Sequence, residues 1–274
     1  MHTSSFKSRL LSRATLRGIF AIVVFVIIWE TGARSEEWFG HRLPFLGLVP
    51  PPSAVFSSWA GLVGEPSYWQ SWYMSFLRVF GGFMAAMLIG IPLGLFMAVN
   101  RTFHGMAFPT FEVLRPIPPL AWVPASIIFW PTQELSIAFV TFLGAFYTIV
   151  INVLGGARSI NKQFLQAALS MGSSQWDIFR RIVLPATLPS IVVGSAVGMG
   201  ITWEVVVAAE MISGGGSSGG GAGGGLGFFI WSSYVGGSYE QIIVGMISIG
   251  IAGYISSELL RHLGGFLTPW LKTR

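Results

Sequence analysis

No cysteine occurs among the 274 residues. Disulfides and thiolate metal sites are therefore excluded, although this absence does not identify a compartment. Charge is scarce as well. Only 10% of the residues are Asp, Glu, Lys or Arg, against about 25% in a soluble domain. That is too little to cover a water-facing surface on a chain that is 53% hydrophobic with a mean hydropathy of +0.67. Histidine is also sparse. His2, His41, His104 and His262 are scattered over termini and loops without metal-ligand spacing. No catalytic constellation is present, so a membrane-embedded enzyme is disfavoured and a membrane protein of another class is expected.

What is present is a series of long apolar runs. Crossings of about 20 residues are expected at about 15–33, 75–99, 105–130, 134–157, 188–212 and 240–262, which makes an all-α polytopic membrane protein of about six transmembrane helices. The apolar run 19–29 follows Lys7, Arg9, Arg13 and Arg17, as in a signal peptide. It ends in Trp29-Glu30-Thr31 with no small-x-small cleavage site, so a retained first helix is expected.

The net charge of +5 does not point to nucleic acid, because the basic residues sit at the ends of apolar runs. Lys7, Arg9, Arg13, Arg17, Arg101, Arg158, Lys162, Arg180, Arg181, Arg261, Lys272 and Arg274 share one side of this topology, and only Arg34 and Arg42 lie in loops on the other. Arg78 and Arg115 fall within crossings. The positive-inside bias places both termini in the cytoplasm. Residues 34–74 are then external. Pro50-Pro51-Pro52 makes a stiff lead-in, and Ser53 can cap a following helix. Val55, Phe56, Trp59, Leu62 and Val63 would share one face of it, suited to the membrane surface.

Small residues recur every four positions in the second crossing, at Gly82, Ala86, Gly90, Gly94 and Ala98, and Gly194 and Gly198 repeat the spacing in the fifth. Such a stripe lets another helix approach closely in lipid. It suits either a subunit interface or contact within one subunit.

Three further segments carry functional content. The first, Arg115-Pro116-Ile117-Pro118-Pro119-Leu120-Ala121-Trp122-Val123-Pro124, has too many prolines for a regular helix. Irregular backbone at membrane depth survives only inside protein or beside a water-filled cavity, so Arg115, Pro118 and Trp122 are candidates for a translocation path. The second segment holds the carboxylates Glu204 and Glu210 beside Trp203; carboxylates at membrane depth are costly and often functional, so Trp203, Glu204 and Glu210 are further candidates for the path. Glu204 can line the path, where it would repel an anion unless paired, with Arg78 or Arg115 as possible partners. Glu210 can equally face water or hydrogen-bond the glycine-rich run that follows. Glu112 and Arg115 can pair with each other at i, i+3. The third segment is amphipathic and lies between crossings. Ala167 and Ala168 favour helix, Gly172 breaks it, and Ser174 with Asp177 forms a capping-box pattern for a second short helix. Trp176 gives that helix an apolar face, and Leu184-Pro185 ends the element.

The run Gln166-Ala167-Ala168-x3-Gly172-x9-Ile182-x-Leu184-Pro185 resembles the signature of the membrane subunits of bacterial ABC importers, with Gln166 where the family commonly has Glu. The Arg-Pro-x-Pro-Pro-x-Ala-Trp string resembles the permeases of nitrate, sulfonate, taurine and bicarbonate importers. The resemblance covers about residues 75–265 and implies a type I ABC importer permease fold. It divides the chain into an N-terminal helix and interfacial segment (1–74), a permease core (75–265) with cytoplasmic coupling helices at 162–185, and a cytoplasmic tail (266–274). It further implies a second permease copy, two ABC ATPase subunits or domains that bind ATP and Mg, and a periplasmic or lipid-anchored substrate-binding protein. The location would be the bacterial inner membrane and the cargo a small anion. The chain itself would hold no cofactor, since the glycine-rich run 214–227 lacks the Gly-Lys-Ser/Thr end of a P-loop. An ATP-independent secondary transporter or channel is the alternative, but no inverted repeat supports it.

Overall fold

A computed structural model describes residues 13–213 and 224–271. The expectations placed on the glycine-rich run and on both termini lie largely outside the described residues. Helices make up the described structure, with no strand among the described residues. They are α1 (Arg13–Ala33), α2 (Ser35–Phe39), α3 (Pro52–Leu62), α4 (Pro66–Val99), α5 (Arg101–Leu114), α6 (Val123–Phe129), α7 (Gln133–Arg158), α8 (Lys162–Ser170), α9 (Gln175–Ile178), α10 (Leu184–Ser213), α11 (Leu226–Val235) and α12 (Tyr239–Leu267). Two compact units are formed, Met1–Pro66 with Ser232–Val244, and Ser67–Trp231 with Gly245–Arg274.

Among the described residues five stretches are long and apolar enough to cross a membrane: Leu16–Ala33, Pro66–Val99, Gln133–Arg158, Gln175–Ile212 and Tyr239–Leu267. The crossing expected at 105–130 is instead broken. It consists of α5, a 3-10 turn at Pro119–Trp122 and α6. Prolines at 116, 118, 119 and 124 remove the donors a continuous helix would need.

In the first unit, α1 exposes Phe20, Ile22 and Phe25, as a lipid-facing helix does. Its Glu30 reaches the start of α3. One carboxylate oxygen accepts from the Ser53 backbone N–H at 3.0 Å, and the other accepts from the Ser53 hydroxyl at 2.8 Å. This corrects the expectation for Ser53. The cap position belongs to Pro51 and the first helical residue is Pro52, a placement that uses proline's fixed φ. Ser53 therefore lies inside the helix, where an acidic side chain from another helix satisfies its N–H. Arg34 closes the cluster with a 2.6 Å bond to Glu30. On α3, Val55 is buried while Phe56 and Trp59 are exposed, their rings 5.7 Å apart.

The segment before the second long helix is also shorter than expected, because α4 begins at Pro66 rather than near 75. Its 34 residues span about 51 Å at 1.5 Å each, well beyond the hydrocarbon layer of about 30 Å.

The core of the second unit is built around α7. The glycine stripe of α4 packs on it. A Cβ added at Gly82 would lie 2.8 Å from the Thr141 side chain, and one at Gly94 would lie 2.9 Å from Val153. On the other side, a Cβ at Gly194 of α10 would lie 2.6 Å from Asn152, and one at Gly198 would lie 3.4 Å from Ala145. These stripes serve contact within one subunit, as the second of the two sequence readings held. Helix α12 packs on α10, where the Trp203 indole N–H donates to the Ser256 hydroxyl at 3.0 Å. Val79, Phe83, Val140, Ile149 and Val206 fill the layer between these helices.

Candidate functional site

The segment between α7 and α10 is an elbow of two short helices. Asn161 caps α8, its side-chain oxygen accepting from the Gln163 N–H at 2.9 Å. At the other end Gly172 has φ +79. Its N–H bonds to the Leu169 carbonyl at 3.0 Å and the Ser173 N–H bonds to the Ala168 carbonyl at 3.1 Å. This pair of bonds is a Schellman ending, which requires a left-handed residue and favours glycine. Two residues later Ser174 starts α9. Its hydroxyl oxygen accepts from the Asp177 N–H at 3.1 Å, and the hydroxyl meets the Asp177 carboxylate at 2.5 Å. A π-helical turn at Phe179–Val183 then leads into α10 through Leu184 and Pro185.

The elbow has an inner and an outer face. Ala168, Ile178 and Val183 are buried together, with Leu165 and Phe179 packed around them. Ala168 must be small because the helix sits directly on this cluster. Gln166 and Ala167 are exposed on the other side. So are Phe164 at 64%, Met171 at 79% and Trp176 at 66%. The Trp176 ring stacks on Phe179 at 5.6 Å. Between the elbow and the end of α4 lies a cavity of about 1130 Å³, lined in part by Phe96, Asn100, Arg101, Leu169, Gln175 and Trp176.

At the opposite end of the helices lies a charge network. Arg78 of α4 is 7% exposed. It donates to Glu210 at 2.9 Å and, through Nε, to Glu134 at 2.8 Å. Glu210 is fully buried. It also accepts from the Ser75 hydroxyl at 2.8 Å and from the Gly227 N–H at 2.9 Å, while the Leu226 N–H donates to Ser75 at 2.8 Å. The first N–H groups of α11 are thus held by a carboxylate and a hydroxyl from two other helices. A helix N-terminus favours a negative group at that point.

The structure sorts the sequence candidates. Glu210 bonds Gly227 at the end of the glycine-rich run, one of the uses foreseen for it, and it does so buried, facing neither water nor a path. Trp203 is 2% exposed and bonded to Ser256, so it packs in the core. Arg115 and Glu112 pair at 2.6 Å. Pro118 is exposed, and Trp122 is half-buried with an indole N–H that has no hydrogen-bond acceptor. Glu204 is exposed on α10 and pairs with neither Arg78 nor Arg115, whose carboxylate partners are Glu134, Glu210 and Glu112. Ser75 and Glu134 were missed by sequence reasoning. The available signal was a membrane arginine that needs a counter-charge, with Glu134 beginning a crossing at the same end.

A helical chain with five apolar stretches long enough to cross a membrane, and an elbow of two short helices between α7 and α10, fits a membrane transport component. The chain belongs to the family described as binding-protein-dependent transport system inner membrane component, which matches residues 90–273. The nitrate import permease protein NrtB of Leptolyngbya laminosa is 31% identical over 97% of this chain and 93% of its own length. The taurine transport system permease protein TauC of Escherichia coli is 30% identical over 98% and 95%. Among solved structures, the MetNI methionine ABC transporter in an inward-facing conformation superposes with a TM-score of 0.56 at 22% identity, covering 73% of this chain and 94% of that one. This likeness shows the fold of a type I importer permease.

Proposed function

We propose that the chain is the membrane passageway of an ATP-driven importer, with the elbow at residues 162–185 as the surface that receives the motor. The observation that carries this reading is the elbow itself. Two short helices are fixed at a glycine with φ +79, and they present Phe164, Met171 and Trp176 outward on a charge-poor chain. Exposed aromatic and methionine side chains at the tip of a rigid element suit a protein partner. The partners in this reading are two ATPase subunits or domains that bind ATP and Mg, a second copy of this chain, and an external substrate-binding protein.

Arg101, Arg158, Lys162, Arg180 and Arg181 gather at the elbow end and are exposed. Their excess supports a cytoplasmic location for that end, and with it for both termini, on the side where ATP is. The relatives named for nitrate and taurine support a small oxyanion or sulfonate as cargo, with bicarbonate in the same class. The exposed Pro118 and the irregular backbone around it support the broken crossing as the candidate wall of the path. ATP binding would have to be read out as different contacts at the elbow in two states of the permease.

The test is a cross-link. Trp176→Cys should form an adduct with a cysteine-bearing ATPase subunit in membranes, and a cysteine at Ser67, near the start of α4, should not. Labelling of the ATPase through Ser67 and not through Trp176 would reject the elbow as the docking surface.

A further inference from the structure

Helix α10 leaves one line of positions open. Val193 is 55% and Val197 47% exposed, and Gly200 and Glu204 continue the line in the exposed class. The spacing of four, three and four keeps them on one helical face. The opposite face is closed by Thr202, Trp203, Val206 and Ala209, each buried. Glu204 therefore points away from its own subunit. It lies nine residues before the end of α10 at Ser213, or about 13 Å along the helix, well inside the stretch long enough to cross the membrane. A carboxylate at that depth is costly against lipid, so it faces a watery cavity or another polar group.

Among the described residues none forms an ion pair with Glu204. Arg78 and Arg115, the two cations foreseen as its partners, are both committed. Arg78 is bonded to Glu134 and Glu210, and Arg115 to Glu112. Nitrate or bicarbonate passing this face would meet an uncompensated negative charge. A molecule that carries a cationic group as well as an oxyanion would meet a complementary one.

Resting on the importer reading above, we infer that Glu204 is a specificity-determining residue of the path and holds the ammonium end of a zwitterionic cargo of the aminosulfonate class. Release into the path would then bring an ammonium group within hydrogen-bonding reach of a carboxylate that is otherwise unpaired. A cargo of the same size without the ammonium group would lose that contact.

Two probes differ in this one group. Taurine ends in an ammonium and isethionate in a hydroxyl, on the same ethanesulfonate frame. The experiment measures ATP-dependent uptake of taurine, isethionate, nitrate and bicarbonate by the full complex in proteoliposomes, for wild type, Glu204→Gln and Glu204→Asp. Binding-protein affinity for each probe is measured separately. Taurine should be the preferred cargo. Glu204→Gln should lower its uptake about tenfold, in line with losing a hydrogen bond to a charged group, with isethionate uptake little changed and taurine partly rescued by Glu204→Asp. Preferred transport of nitrate or bicarbonate would overturn the inference and leave the importer reading standing. So would equal loss of taurine and isethionate uptake in Glu204→Gln. Failure of that variant to assemble with its partner subunits would assign the carboxylate to an interface instead. Absence of ATP-dependent uptake of all four probes would reject the importer reading and the inference together.

Discussion

Arg78 and Glu210 meet at 2.9 Å although 132 positions separate them in the chain. Glu210 is fully buried and Arg78 nearly so, so neither charge has water to fall back on. Removing one partner strands the other, which costs about 3–5 kcal/mol. Arg78→Met should lower the thermal stability of the purified protein in detergent by that amount. Adding Glu210→Met and Glu134→Gln should recover much of the loss, because the stranded carboxylates are then gone. Wild-type stability in the single variant would show that the network is not what fastens α4 to α10 and α11.

Gly81 and Gly82 are neighbours on α4 with opposite surroundings. A Cβ at Gly81 meets nothing within 4 Å, whereas one at Gly82 would lie 2.8 Å from Thr141 and 2.9 Å from the Phe142 backbone nitrogen. Gly82→Ala should therefore destabilise by about 1–3 kcal/mol through overpacking. Gly81→Ala should be neutral or slightly stabilising, since alanine favours helix by up to about 1 kcal/mol. A thermal melt of each variant decides it, and equal behaviour would contradict the packing of α4 on α7.

At the elbow, Gly172 has open space around it but a left-handed backbone. Any L side chain there costs about 1–2 kcal/mol, and proline would also remove the N–H that bonds to Leu169. Gly172→Leu and Gly172→Pro should insert normally yet abolish ATP-driven uptake. Gln166→Ala should be milder, since Gln166 is exposed on the outer face. Normal uptake by a well-expressed Gly172→Leu variant would remove the elbow from the coupling mechanism.

Orientation is open to direct labelling, because the chain has no cysteine of its own. Ser159 and Ser67 are both exposed. In intact cells a cysteine at Ser159 should resist an impermeant thiol reagent and one at Ser67 should react. The reverse pattern would invert the proposed topology.

The elbow was legible because its bonds are local. Gly172 ends a helix and Ser174 meets Asp177 three residues on, so neighbouring letters carry the geometry. The break in the third crossing was legible for the same reason, from proline density alone. The charge network was not. Ser75, Arg78, Glu134 and Glu210 come from three helices, and no spacing in the sequence records which carboxylate an arginine will find. Ser53 shows the same limit on a smaller scale. A helix-capping residue type sat at a helix start, but a glutamate 23 positions earlier satisfied the backbone first. The early start of α4 was hidden because Ser67, Gln70 and Ser71 look like loop residues, and the burial of Tyr68 among them depends on contacts remote in sequence, such as its hydroxyl with Ser248 at 2.7 Å.

The central claim is that transport through this chain is driven by ATP acting at the elbow. The most direct measurement is uptake into proteoliposomes that contain the permease, its ATPase and its binding protein, with ATP supplied at the ATPase face. Accumulation of labelled nitrate, bicarbonate or taurine should require both ATP and the binding protein, and should vanish with Gly172→Leu. Accumulation that proceeds without ATP, driven by a proton or sodium gradient, would contradict the account and identify a secondary transporter.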